Sequence, residues 1–207
     1  MTITRETLRL LPPPRFARLS VLAHDPGDIA GGLAAVDVEA HTGLPSVRWV
    51  LSYQSKSARL WQRGQSVQVA TAGSLFGLLA LAPAFKGDLV CEHLRPFKGY
   101  NKGFQTLVES CGAVKHWAAA RGCQVAKAAD EPNPNDWRSR VLGLRTGTPA
   151  EACATTAVAA VEGRPAPGSR YHVELGLVQP VRPIDEHGAE AVCVGLWALG
   201  FRLSTPG

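Results

Sequence analysis

The sequence contains none of the short motifs that identify the common catalytic and cofactor sites. It has no GxSxG, no P-loop, no GxGxxG and no HExxH, and its five cysteines include no CxxC pair. These absences argue against a serine hydrolase of the nucleophile-elbow type, a P-loop nucleotide site, a dinucleotide site, a zinc protease and a zinc knuckle. No cofactor and no metal site are predicted from the sequence.

Long apolar runs are also missing. The longest nearly uncharged stretch, residues 67–85, is interrupted by Gln68, Thr71, Ser74 and Pro83, which favours a buried helix over a membrane span. Residues 1–6 are polar and include an acid, which is unlike a signal peptide. We therefore expect a cytoplasmic protein with no membrane partner.

The cysteine count is odd, and the spacing suggests no disulfide framework. We expect small buried thiols in a reducing compartment. The five are Cys91, Cys111, Cys123, Cys153 and Cys193.

What is present is ordinary for a globular chain. The 207 residues are 45% hydrophobic and 19% charged, which allows a sizeable core in one large domain or two small, closely packed ones. An N-terminal arm (1–15) ends in a run of three prolines. We expect two further units, 16–102 and 103–207, to pack as one globule.

The pattern over residues 16–94 predicts the order strand, helix, strand, strand, helix, strand. The predicted strands are 16–23, 47–53, 58–62 with 67–70 as a hairpin, and 88–94, and the predicted helices are 29–40 and 72–82. This order is that of a ferredoxin-like split βαβ unit in an α+β protein.

The second half predicts a looser repetition of that plan. A helical segment (103–127) precedes a surface loop (130–136), a strand (137–145), an Ala-rich helix opened by Thr148 and Glu151, and long strands at 169–178 and 191–203. The unit is therefore read as strand, helix, strand, strand.

Positive charge is concentrated in one third of the chain. The net charge is +5, but residues 40–108 hold eight bases and two acids, an excess of six. The same third holds eight of the fourteen aromatic residues. Alternating cations and rings suit nucleic acid, since cations attract phosphates and unpaired bases stack on rings. The predicted nucleic-acid-binding residues are Arg48, Tyr53, Lys56, Arg59, Trp61, Arg63, Arg95, Phe97, Lys98, Tyr100 and Lys102.

Two histidines are candidate catalytic bases. His24 ends the first predicted strand and His41 ends the first predicted helix. Either could activate an RNA 2′-hydroxyl for attack on the adjacent phosphorus, which requires no metal. The alternative is an exposed histidine at the end of an element, which a helix dipole alone would favour for His41.

Two strand–helix–strand–strand units, a basic-aromatic middle and a histidine near the first helix resemble the repeat-associated RNA-binding proteins of CRISPR systems. Among these, the guide-processing endoribonucleases are nearest in size. The resemblance implies RNA as partner, His24 or His41 as catalytic base, and the segment 95–104 as an RNA-holding surface. The glycines near the C-terminus are scattered, whereas that family has a glycine-rich loop there.

The leading interpretation is a protein that binds single-stranded or structured RNA, within a larger ribonucleoprotein or as a metal-independent endoribonuclease. One alternative is an enzyme or binding protein for an anionic metabolite on the same scaffold. Another is a structural subunit that contacts other proteins through Trp137, Trp197 and the apolar C-terminal strands.

Overall fold

A computed structural model describes residues 4–10, 19–27, 30–54, 57–70, 75–94, 102–166 and 171–203. It confirms the α+β class, while the order of elements differs from the ferredoxin-like one. In chain order the elements are β1 (Thr4–Leu10), β2 (Ser20–Asp25), β3 (Ala30–Val38), β4 (Pro45–Gln54), β5 (Ser57–Gln62), β6 (Gln65–Ala70), α1 (Leu75–Leu79), β7 (Asp88–Cys91), α2 (Lys102–Ala120), β8 (Gln124–Val125), a 3-10 turn (Ala128–Asp130), α3 (Pro134–Leu142), α4 (Ala150–Val161), β9 (Tyr171–Glu174), α5 (Glu186–Ala198) and β10 (Phe201–Leu203).

The main sheet has seven strands in the order β6-β5-β4-β3-β2-β7-β8. Strands β2 to β6 form an antiparallel meander, whereas β7 pairs in parallel with β2 and β8 pairs in parallel with β7. A smaller sheet places β1 between β9 and β10. The parallel pair β2 and β7 matters most here, because both strands end at the same edge of the sheet.

The two faces of the main sheet are covered by different helices. Val21 and Ala23 belong to a core that includes residues of α3, α4 and α5, whereas Leu22 belongs to a second core with residues of α1 and α2. Alternate strand residues point to opposite faces, so each strand contributes to both cores.

Burial on both faces explains why one predicted helix is wrong. Residues 29–40 have apolar residues at helical spacing, but 30–38 form β3, a central strand in which every residue is buried. A strand covered on both faces loses its alternation and becomes a continuous apolar run. The periodicity then does not distinguish it from a helix.

Helix α5, which carries two residues of the candidate site, and α3, which supports it, were also predicted incorrectly. Residues 137–145 were expected as a strand, but α3 begins at Pro134 with Asn133 and Asp136 forming a capping box. Residues 191–203 were expected as a strand after a turn, but most of them belong to α5, which is buried over nearly its whole length. Both errors place polar residues in loops that are in fact first turns of helices.

Four predicted strands are confirmed, as β4, the two strands of the β5–β6 hairpin, and β7, and so are the α2 segment and the Ala-rich helix α4. All five cysteines are buried and free, as expected. Among the described residues, no helix has both the length and the apolar character needed to cross a membrane.

Candidate metal centre

Two buried carboxylates meet at the ends of β2 and β7. Asp25 is the last residue of β2, and Glu92 directly follows β7. The Glu92 backbone N–H donates to the His24 carbonyl at 2.9 Å, which continues the parallel pairing by one residue. Asp25 is 4% exposed and Glu92 is 7% exposed. The topology therefore places two acids, 67 positions apart in the sequence, side by side.

Helix α5 adds a histidine and a third carboxylate. His187 and Glu190 are three residues apart near the start of α5, so they share a helix face. His187 Nδ1 lies 2.9 Å from Asp25 Oδ2. One ligand atom from each of Asp25, His187 and Glu190 lies within 4.8 Å of the other two. Carboxylate oxygens with one imidazole nitrogen suit Mg²⁺ or Mn²⁺.

Burial and mutual repulsion raise the pKa values of all three acids. Burial raises the pKa of Asp25 well above its usual range, and the charge of Glu190 adds to this. Burial, then the charge of Asp25, raises the pKa of Glu92 to about 8. Burial raises the pKa of Glu190 to about 7, against the lowering effect of Arg138. Such a group of acids ionises fully only beside a cation.

The first turn of α3 supports two of the acids from behind. The indole Nε1 of the fully buried Trp137 donates to Glu92 Oε1 at 3.2 Å. Its neighbour Arg138 places Nη2 3.5 Å from Glu190 Oε1. Because metal ligands keep their orientation through such outer contacts, α3 is a supporting element of the site.

The start of α5 is fixed against the sheet. The Asp185 side chain caps the helix by accepting from the Gly188 N–H at 2.9 Å, and it also accepts from the Ser52 hydroxyl. Gly32 lies below the first turn, and a Cβ at this position would overlap the carbonyl of His187. Glycine therefore allows α5 to bring His187 close to Asp25.

The two histidines predicted as catalytic bases lie away from this cluster. His24 is fully buried and points to the α2 face of the sheet, where Nε2 lies 3.2 Å from the Tyr53 hydroxyl. Burial lowers the pKa of His24 to about 3. His41 is exposed in the turn between β3 and β4, at the other end of β3 from the partner of Asp25, Gly32. This placement gives a phosphodiester no access to His24 and keeps the two histidines apart.

The predicted nucleic-acid-binding residues are dispersed. Tyr53 and Trp61 are in the two cores at 7% and 3% exposure, and the exposed Arg48 pairs with Asp37. Arg63 is exposed at the β5–β6 turn, and Lys102 begins α2. Arg59 is half-buried and lines a cavity beside the start of α5. Five predicted residues lie outside the described ranges: Lys56, Arg95, Phe97, Lys98 and Tyr100.

Two cavities flank the start of α5. One, of about 380 Å³, is lined by acids and apolar groups that include Glu151, Val158, Asp185 and His187. The other, of about 220 Å³, lies over β4, β5 and β6 and is lined by Ser52, Gln54, Ser57, Arg59 and Gln68 together with Asp185. Asp185 lines both cavities, and the two together are called the groove here, the first being its acidic side and the second, with Arg59, its basic side. Of the four residues of the centre, His187 is the one that lines the groove in the described part of the chain.

Sequence reasoning missed Asp25, Glu92, His187 and Glu190 and predicted no metal site. The available signal was that Asp25 follows one predicted strand and Glu92 is near the end of another. Only the parallel pairing of β2 with β7 makes them neighbours, and that pairing was not predicted. His187 and Glu190 share a face only once 186–198 is known to be a helix.

No family model matches this chain, and no curated protein matches it. Among solved structures, it is similar to Thermus thermophilus RuvC, with 18% identity over 89% of this chain and 99% of that chain, at a TM-score of 0.46. It is similar also to T. thermophilus RuvC in complex with a Holliday junction substrate, with 19% identity over 90% and 99% of the two chains, at a TM-score of 0.47. At these sequence identities and TM-scores, the similarity carries no activity over to this chain.

Proposed function

We propose that this protein is a divalent-cation-dependent hydrolase that cleaves phosphodiester bonds in nucleic acid. The observation that carries the proposal is the buried group formed by Asp25, Glu92, His187 and Glu190. Three acids from separate elements converge at less than one-tenth exposure for Asp25 and Glu92, in a position where they raise one another's pKa. Packing alone gives no reason to bury such a group, whereas a cation does.

The residues fit Mg²⁺ or Mn²⁺. Asp25 and Glu190 offer oxygen ligands and His187 offers a nitrogen, within the span that one ion needs. Glu92 lies beside Asp25 and adds a further oxygen at the edge of this group. When bound, such a cation polarises a phosphoryl oxygen and lowers the pKa of a water molecule.

The side chains divide the remaining tasks. Asp25 orients the His187 ring through Nδ1, and Nε2 is then the ring nitrogen that remains to bind the cation. His187 also lines the larger cavity, so its ring is accessible from solvent. Arg138 places a fixed positive charge beside Glu190 and stabilises its ionised form.

Nucleic acid is the substrate class that fits the charge. The centre itself is acidic, yet the chain carries a net charge of +5, with its basic excess between residues 40 and 108. Arg59 of that segment lines the groove beside the centre. A positive surface around an acidic, cation-binding centre suits a polyanion that is cut at a phosphodiester.

The test is cleavage of end-labelled single strands, duplexes and Holliday junctions of DNA and of matched RNAs, with Mg²⁺, with Mn²⁺ and with EDTA. We expect cleavage with a cation, none in EDTA, and a loss of at least about a hundredfold in rate for Asp25→Asn. Glu109→Gln, the same carboxylate-to-amide change at an exposed residue of α2, is the matched control.

Cleavage that persists in EDTA and is lost in His41→Ala would overturn this proposal and support the metal-independent endoribonuclease instead. If only the RNA substrates are cleaved in the presence of a cation, the substrate class is RNA. Three predictions from the sequence are not tested by this experiment. They are the resemblance to CRISPR endoribonucleases, the protein subunits as partners, and the anionic metabolite as ligand.

A further inference from the structure

One row of cross-strand neighbours connects the candidate metal centre to the basic side of the groove. Asp25 on β2 pairs with Gly32 on β3, Gly32 with Ser52 on β4, Ser52 with Arg59 on β5, and Arg59 with Gln68 on β6. Directly paired residues project from the same face of a sheet. Asp25, Ser52, Arg59 and Gln68 therefore share the face that carries α5.

The outer part of this row forms the cavity of about 220 Å³. Its wall consists mainly of hydrogen-bonding groups, from Ser52, Gln54, Ser57 and Gln68, and Arg59 is the base that lines it. Arg59 is half-buried, and no ion pair links it to another described residue. A half-buried guanidinium among hydroxyl and amide groups is suited to a phosphate, which accepts hydrogen bonds from all of them.

Asp185, the acid that lines this cavity, forms its hydrogen bonds with groups other than Arg59. Asp185 accepts from the Gly188 N–H through Oδ1 and from the Ser52 hydroxyl through Oδ2. It also caps the N-terminus of α5, where the helix dipole stabilises a negative charge. The guanidinium of Arg59 is consequently available to an anion from solution.

The opposite cavity is less suited to a phosphate. Glu151, Asp185 and Glu186 line it, and its base, Arg164, forms an ion pair with Glu162. An anionic backbone would be repelled on that side. A negatively charged strand is therefore expected to lie on the Arg59 side of the groove.

We infer that the Arg59 cavity binds a backbone phosphate of the substrate strand, flanking the phosphate that is cut at the candidate metal centre. Three strand spacings separate Asp25 from Arg59, about 14 Å between Cα atoms, so we assign Arg59 to a flanking phosphate. The inference rests on the proposed function and adds the side of the centre along which the strand runs.

The first test is equilibrium binding of a fluorescein-labelled single strand and a duplex in EDTA, measured by polarisation over a salt series. We expect Arg59→Gln to weaken binding about tenfold and to lower the slope of log K against log salt by about 0.7 to 0.9. Arg59→Lys keeps the charge and should recover most of the affinity. The matched control is Arg145→Gln, which removes an equal charge from an exposed loop residue outside the cavity.

A second measurement changes the nucleic acid as well as the protein. Single methylphosphonate substitutions, each of which removes one phosphate charge, are placed on either side of the cleaved bond. One flanking position should weaken binding by the wild-type protein about as much as Arg59→Gln does, and should have no further effect on Arg59→Gln. This loss of additivity identifies the phosphate that Arg59 contacts.

The outcomes separate the two claims. If the wild-type protein binds no nucleic acid, the proposed function fails. If it binds and cleaves, but Arg59→Gln behaves like Arg145→Gln and every methylphosphonate effect is additive, only the Arg59 site is overturned. An Arg59→Lys variant as weak as Arg59→Gln would also contradict a site based on charge.

Discussion

At the scale of single residues, the centre is a group of acids that the fold holds at a cost. The pKa of Glu92 rises from 4.5 to about 8, and that of Glu190 from 4.5 to about 7. Between about pH 4.5 and pH 8, Glu92 and Glu190 bind more protons in the folded state than in the unfolded chain, because the buried acids hold their protons to higher pH. The contribution of these acids to the free energy of unfolding then falls as the pH rises, against a smaller opposite contribution from His24, whose pKa is lowered.

We therefore predict that, in EDTA, the melting temperature decreases from about pH 5 to pH 8, and that Mn²⁺ reduces this decrease, since a cation favours the ionised acids. Differential scanning calorimetry across that range measures both effects. Glu92→Gln removes one of the titrating groups and should make the profile without metal flatter. A profile that rises toward pH 8 without metal would contradict the assignment of raised pKa values.

A second prediction concerns the outer contact from Trp137. Trp137→Phe keeps a buried ring but removes the N–H that donates to Glu92. Because outer-shell contacts orient metal ligands, we expect Mn²⁺ affinity to fall by roughly tenfold or more, measured by isothermal titration calorimetry. Trp49→Phe is the control, because Trp49 is buried on the α2 face and its Nε1 has no hydrogen-bond partner within the described part of the chain. Equal affinities in the two variants would assign Trp137 to packing alone.

At the scale of elements, the site depends on how closely α5 approaches the sheet. A Cβ at Gly195 would lie 2.7 Å from Val36 Cγ2, and one at Gly188 would lie 2.9 Å from Val50 Cγ1. These glycines let the helix pack directly on β3 and β4, and the same approach brings His187 to Asp25. The position of α5 on the sheet therefore determines the distance between His187 and Asp25.

Gly32→Ala tests this dependence. The new methyl group would overlap the His187 carbonyl, so the first turn of α5 must move away from β3. We expect the free energy of unfolding to fall by about 1 to 3 kcal/mol and Mn²⁺ affinity to fall with it. Gly112→Ala is the matched control in α2, where a Cβ would have nothing within 4 Å, and it should stabilise the protein by up to about 1 kcal/mol. Chemical denaturation and calorimetry distinguish the two, and an unaffected Mn²⁺ affinity in Gly32→Ala would separate helix position from site geometry.

The β5–β6 hairpin and the short buried strand β7 were predictable from the sequence, whereas two long elements buried all round, β3 and α5, were not. The hairpin of β5 and β6 has a polar turn at Arg63 and Gly64, and β4 alternates in burial at its start. By contrast, β3 and most of α5 are buried all round, so their sequences carry no period that separates strand from helix. The start of α3 did carry a signal, Asn133 followed by Pro134 and Asp136, but it was interpreted as a loop.

At the scale of the whole molecule, the candidate site is a product of topology. Its four side chains come from the end of β2, the residue after β7 and two positions in α5, and no two of them from different elements are near in sequence. The order of strand and helix patterns predicted the α+β class, and the charge distribution suggested a polyanionic partner. That distribution indicated Arg59 among several bases, but the cross-strand register is what places Arg59 in line with Asp25.

The central claim, that these acids hold a divalent cation, is tested most directly by isothermal titration of the folded protein with Mn²⁺. We expect saturable binding of Mn²⁺ by the wild-type protein. For Asp25→Asn, which keeps the size of the side chain and removes its negative charge, we expect an affinity at least about tenfold lower. Calorimetric melting should show that Asp25→Asn remains folded. No saturable binding by the wild-type protein, or equal affinity in the two proteins, would contradict the central claim.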